Sequence, residues 1–162
     1  EAYWVKDRHE SDRSNCHIVL LARTDKGRKA INKILSIANK DGYYARPRID
    51  LELIDQLPYD DVMITTACVA FWNKYDDIAD IVRHLAESFP HFYLEVQAHD
   101  TPAQKELNRH IIQISEELLV PIIAGCDSHV ITESQMLDRD ELLKSGNINY
   151  EDEDGWYMDY PK

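Results

Sequence analysis

Four residues in the 162-residue chain combine type and place in a way that points to metal chemistry. Asp127 and His129 stand two apart in "PIIAGCDSHV", where an apolar run stops. In extended backbone, residues two apart point the same way, so a carboxylate and an imidazole from one short segment can reach one ion. Cys68 follows the run "VMITTA", and His99 follows "FYLEVQ". Mixed nitrogen and oxygen ligation suits Zn, Mn or Fe(II) better than Ca or Mg. Such ions bridge phosphate oxygens and lower the pKa of a bound water, which is the equipment of phosphoester hydrolysis. Taken singly, each residue has a plainer reading: a capping Asp, a surface His, a small core Cys, a loop His.

The elements around these residues give the set its weight. "HIVLLA" (17–22), "VMITTA" (62–67), "FYLEVQ" (92–97) and "PIIAG" (121–125) are compact apolar runs bounded by polar residues, and read as strands. Residues 1–5 read as the end of another. Ala30, Ile31, Ile34, Leu35 and Ala38 recur at helical spacing between a Thr24 or Asp25 cap and Gly42. Asp50 caps a short helix over 51–56. Ile78, Ile81, Val82 and Leu85 mark a third helix. Thr101 followed by Pro102 opens a fourth, continued by Leu107, Ile111, Ile114 and Leu118, and 132–144 reads as a fifth that Gly146 stops. From residue 62 strands and helices alternate, which predicts a parallel α/β sheet or barrel. Parallel α/β folds place their chemistry past the carboxyl ends of the strands. Cys68, His99 and the Asp127–His129 pair follow three consecutive strands at that end. His17 precedes its strand, so it fails the same test unless that strand runs the other way. Cys126 is expected to point away from Asp127 and to pack.

Composition narrows the function classes. Hydrophobic residues make up 44% and charged residues 30%, as in a globular domain. No apolar run is long enough to span a membrane. The net charge of -12 is the wrong sign for gripping nucleic-acid phosphates over a broad face, so a DNA contact has to be local or made by another part of a larger protein. The acid is densest at "EDED" (151–154), read as part of a solvated tail. Three widely spaced cysteines, Cys16, Cys68 and Cys126, fit reduced thiols in a cytoplasm. "EAYWV" opens without Met and reads as a strand already under way, so a fragment of a longer chain is expected. GxGxxG, Walker A, GxSxG and HExxH patterns are absent. Tyr43, Tyr44, Arg46 and Arg48 form an aromatic and basic patch that suits a phosphate or a base, or plain packing with salt bridges.

In this order, "EAYWV", "HIVLLA", "GYYARPRID", "ITTACVA", "FYLEVQAHD" and "GCDSHV" resemble the PHP (polymerase and histidinol phosphatase) domain. The resemblance is closest to the PHP domain of bacterial or phage-type DNA polymerase III alpha subunits, through "RTDKGRKAINKILSIA" and "PRID". It covers nearly the whole chain and thins across "FWNKYDDIADIVRHLAESFP" and after residue 145. It implies a distorted (βα)7 barrel of the α/β class whose amino-terminal strands are missing from this chain. Residues 1–145 would be a partial PHP domain, and 146–162 an acidic, largely irregular segment.

The resemblance also implies a site. Glu1, Cys68, His99, Asp127 and His129 match metal ligands, with His99 and Asp127 as catalytic positions. His17 matches a frequent histidine of uncertain standing as a ligand. Arg46 and Arg48 are candidate phosphate contacts. The ions implied are divalent, Zn or Mn, several when the domain is complete. The family's first H-x-H motif and its next histidine are absent here, so about half the site is expected and little activity from the fragment alone. The parent implied is a DNA-directed DNA polymerase of replication, its PHP domain a phosphoesterase with 3′–5′ exonuclease proofreading in some relatives. Its partners would be DNA, held through the parent, and an exonuclease subunit, with no membrane, in the cytoplasm. Two other readings remain: a stand-alone phosphatase of the histidinol phosphatase type, and a non-catalytic scaffold that binds protein partners.

Overall fold

A computed structural model describes residues 1–11, 13, 16–72, 78–99, 101–128 and 130–146. Seven strands among them form one sheet: β1 (Ala2–Trp4), β2 (Cys16–Ala22), β3 (Tyr43–Tyr44), β4 (Arg46–Ile49), β5 (Val62–Thr65), β6 (Phe92–Gln97) and β7 (Ile122–Gly125). Their spatial order is β3-β4-β1-β2-β5-β6-β7. The helices are α1 (Asp25–Asp41), α2 (Leu51–Ile54), α3 (Val69–Trp72), α4 (Ile78–Ser88), α5 (Pro102–Leu118) and α6 (Glu133–Ser145). This is an α/β fold. No helix among the described residues is long and apolar enough to cross a membrane.

The parallel pairing expected from residue 62 onward forms, and β1 and β4 are parallel as well. β5–β6 and β6–β7 are parallel, as the strand–helix alternation from residue 62 requires. β2, however, runs antiparallel to both β1 and β5. For β1–β2 the reason lies in the connection: a parallel neighbour needs a crossover of a dozen or more residues on the sheet face, and the polar loop between them is too short for a covering helix; the β2–β5 connection, residues 23–61, is long enough for either direction. Strand ends also move inward. β5 stops at Thr65 because Ala67 takes a left-handed backbone, φ 51°, which no strand continues through. A single turn of helix, α3, follows just beyond it. Residues 147–162, the bulk of the expected acidic segment, lie outside the described residues.

Alternation along each strand divides the sheet into two faces. Ala2, Trp4, Cys16, Ile18, Val62, Ile64, Phe92 and Leu94 point one way and are buried. They pack with Ile34, Leu53, Phe71, Leu85 and Ile111 from the helices in one core. Each large apolar side chain withdrawn from water there contributes about 1.5–3 kcal/mol. Tyr3, His17, Val19, Thr65, Tyr93, Glu95 and Gln97 alternate with that set and so point to the opposite, more polar face.

The caps read from sequence form as hydrogen bonds. Thr24 accepts from the Gly27 amide, Asp50 from Leu53, and Thr101 from Gln104 at 3.1 Å with Pro102 just inside the helix. Gly42 closes α1 without a left-handed backbone. What it supplies is room, since a Cβ there would lie 2.4 Å from the Arg48 carbonyl oxygen.

One buried charge pair holds β4, α2 and the β1–β2 loop together. The Arg8 guanidinium reaches both oxygens of Asp50 at 2.8 Å, and Glu52 at 2.8 Å. Arg8 and Asp50 are only 7% and 5% exposed. The two carboxylates hold the Arg8 pKa above its ordinary value against the opposing effect of burial. Breaking a buried pair from one side strands the other charge, and here it also removes the α2 cap. Asp50→Ala is therefore expected to cost on the order of 3 kcal/mol in urea denaturation, far more than an uncapping change alone.

Candidate metal-binding rim

The direction of β2 brings a new residue to the site. Val19 is the register partner of Thr65, so His17, two residues earlier, lies beyond the carboxyl end of β5 and beside Cys68. The condition set for His17 by its position is met, because its strand runs the other way. His17 Nδ1 lies 2.8 Å from Glu1 Oε1 and 3.5 Å from Cys68 Sγ. Tyr3, the register partner of His17 in β1, packs edge-on against the imidazole at 5.4 Å between ring centroids. An oxygen, a nitrogen and a sulfur donor from three strand ends thus meet at one rim.

Cys68 is partly buried, and burial is the main reason its thiol pKa lies above the ordinary value. The negative charges of Asp127 and Glu1 push it the same way. His99, at the end of β6, is 9% exposed. Asp127 departs from the expected geometry: its φ is 46°, in the left-handed region that Asp tolerates better than most residues. The extended-backbone argument for a shared Asp127–His129 direction therefore fails at its first residue. His129 lies outside the described residues. Cys126 is partly buried.

Among the described residues, no group of three or more His, Cys, Asp or Glu is arranged to hold an ion. His17 Nδ1 is instead engaged directly by Glu1 and Cys68. The donor types nonetheless suit a divalent ion of the Zn or Mn kind: an imidazole that touches a carboxylate on one side and a thiol on the other.

The two arginines of the aromatic patch separate. Arg46 is exposed, and its guanidinium lies over the Tyr3 ring at 5.4 Å. Tyr3 thereby links Arg46 to His17. Arg48 is 2% exposed; it donates to the Gly42 carbonyl at 3.0 Å and the Arg8 carbonyl at 2.6 Å. As a phosphate contact it is corrected: a buried guanidinium bonded to main-chain carbonyls braces the loop. Tyr43 is 62% exposed and pairs with Pro47, while Tyr44 is the register partner of Arg46.

Sequence reasoning passed over Glu95. Its carboxylate accepts from Thr65 Oγ1 at 2.8 Å and from Gln97 Nε2 at 3.1 Å. A carboxylate inside an otherwise apolar strand run was the one signal that marked it.

The fold is a mixed α/β sheet with the Glu1, His17 and Cys68 side chains in contact at one rim. The chain belongs to the PHP domain family, whose model matches residues 1–99. It is 33% identical to the DNA polymerase III subunit alpha of Aquifex aeolicus, over 89% of this chain and 14% of that protein. It is 28% identical to the subunit alpha of Borreliella burgdorferi, over 88% of this chain and 13% of that one. With the DNA polymerase III PolC-type of Clostridium perfringens it shares 27% identity, over 71% and 9% respectively. The chain thus spans about one seventh of the first of these relatives and less of the other two.

The raised thiol pKa has a direct readout. In chelator-treated protein Cys68 is expected to react with iodoacetamide at neutral pH at least several-fold more slowly than a free thiol, because little thiolate is present. The rate should climb only as pH passes the ordinary thiol range. Peptide mass spectrometry separates Cys68 from Cys16 and Cys126, and a free-thiol rate at Cys68 would contradict this environment.

Proposed function

We propose that this chain is the PHP portion of a DNA polymerase III alpha-type replicative polymerase, and that the portion is a metal-dependent phosphoesterase acting on the 3′ end of DNA. The observation that carries the reading is the contact of His17 with both Glu1 and Cys68 at one rim. The relatives named above are all DNA polymerase III proteins, which favours the polymerase parent over a stand-alone phosphatase. On this reading the sheet belongs to a PHP-type distorted barrel, its polar face lining the interior. Residues 1–145 form the PHP unit, and 146–162 a separate acidic segment. The parent would carry out template-directed nucleotide addition in the cytoplasm, with an exonuclease subunit as a partner.

Glu1, Cys68, His99, Asp127 and His129, joined by His17, would hold Zn or Mn. Bound there, such an ion supplies Lewis acidity toward a phosphate oxygen and an acidified water. His99 and Asp127 end neighbouring parallel strands and flank the reacting phosphate. Tyr3 keeps His17 and Arg46 in fixed relation through its ring. Arg46 is the phosphate contact that remains exposed, and Tyr44, its register partner across the β3–β4 hairpin, offers a ring on which a base can stack. This small basic and aromatic area is how an acidic chain can meet a nucleic-acid strand locally.

The test is calorimetric titration of the chain with Zn and Mn, followed by digestion of a single-stranded oligonucleotide. At least one ion is expected to bind, with affinity falling 10–100-fold or more in Asp127→Asn. Loaded protein should shorten the oligonucleotide slowly from its 3′ end. His99→Ala should slow that reaction on the order of 100-fold, and Arg46→Ala should reduce the salt slope of oligonucleotide binding by about 0.7. Hydrolysis confined to small phosphomonoesters would support the phosphatase reading instead. Absence of both metal binding and hydrolysis would leave the scaffold.

A further inference from the structure

The three strands that end at Cys68, His99 and Asp127 converge on Glu95. Its carboxylate takes a hydrogen bond from Thr65 Oγ1 of β5 at 2.8 Å and one from Gln97 Nε2 of its own strand at 3.1 Å. Its backbone amide donates to Thr66 Oγ1 at 3.0 Å. On the β7 side it occupies the space over Gly125, where a Cβ would lie 1.9 Å from Oε1. No left-handed backbone accounts for Gly125; a side chain there would meet this carboxylate and displace it.

The bonds continue outward to the loops that carry the candidate ligands. Thr65 Oγ1 donates to Glu95 and also accepts from the Ala67 amide at 3.3 Å. Ala67 holds the left-handed turn directly before Cys68. On the other side Asn108 of α5 grips both main-chain groups of Gln97, donating to its carbonyl at 2.7 Å and accepting from its amide at 3.4 Å. Gln104 in turn donates to Asn108 at 2.9 Å. Gln97 stands two residues before His99. One half-buried carboxylate therefore sits at the centre of a relay from α5 through β6 to β5.

We propose that Glu95 is a positioning residue that holds the strand ends carrying Cys68, His99 and Asp127 in the relation a bound divalent ion requires. This rests on the reading of those residues as metal ligands. Glu95 acts through Thr65, Gln97 and the space over Gly125 and touches no substrate. The carboxylate suits the task because it accepts from two strands at once. A glutamine accepts from Thr65 through its oxygen but presents donors to Gln97, so it keeps part of the relay. An alanine keeps none.

Two measurements test the assignment: Zn and Mn affinity by calorimetry, and amide hydrogen exchange read at Ala67 with Ile64 and Leu94 as internal controls. Glu95→Ala is expected to weaken metal binding 10–100-fold, the usual cost of losing an outer partner of a metal ligand, and to speed Ala67 exchange while the controls keep their protection. Glu95→Gln should recover most of both. Gly125→Ala, which leaves Glu95 in the chain but fills its place, should reproduce the alanine phenotype and serves if Glu95→Ala does not fold. Unchanged metal affinity or unchanged Ala67 exchange in a folded Glu95→Ala or Gly125→Ala protein overturns the proposal. If the unmutated chain binds no metal, the phosphoesterase reading and the ligand-positioning role fall together. Exchange at Ala67 then decides separately whether Glu95 ties the strand ends.

Discussion

The antiparallel pairing of β2 with β5 decides which side chains meet. A strand inserted in that direction presents its first residues, not its last, at the carboxyl end of its neighbour. His17 therefore arrives beside Cys68, and Tyr3 in β1 arrives behind His17. Period-two alternation does the rest: with Cys16 and Ile18 committed to the helix-covered core, His17 has to face the other way. A register slip of one residue would bury the imidazole and expose the core pair, so the apolar half of the sheet enforces the polar half. The arrangement at the rim is a consequence of packing that occurs elsewhere.

Much of the fold was legible because its signals are local. Thr24, Asp50 and Thr101 announce helix starts through side chains that bond within the next three residues, and the apolar periods of α1, α4 and α5 need no tertiary information. The four strand runs are compact and bounded. Strand direction is different. It is set by connection length and by the partner that covers each face, so the alternation that predicted parallel pairing from β5 onward said nothing about β2. The same gap hid the role of His17, which could only be stated as a condition.

The site was legible in kind more than in geometry. Residue types at the ends of apolar runs marked Cys68, His99 and Asp127, yet the backbone of Asp127 is left-handed rather than extended, and a single φ is invisible in the residue letters. Arg48 and Arg46 look alike in "ARPRID" and each lies over a tyrosine ring, but one is buried on main-chain carbonyls and the other is exposed. Glu95 carried a faint mark as a charge in an apolar run. Its meaning depends on Thr65, thirty residues earlier, and on the missing side chain of Gly125, thirty residues later. Membership of the PHP family accounts for the order of these segments, while the contacts explain what each contributes.

The claim on which the account turns is that the thiol of Cys68 and the imidazole of His17 bind the same ion. Optical absorption of the cobalt-substituted protein reads this directly, because a cysteine thiolate bound to Co(II) gives a sulfur-to-metal charge-transfer band. The account predicts such a band in the unmutated chain, lost in Cys68→Ser and shifted in His17→Ala. Tight cobalt binding without a thiolate band, or a band that survives Cys68→Ser, would contradict it.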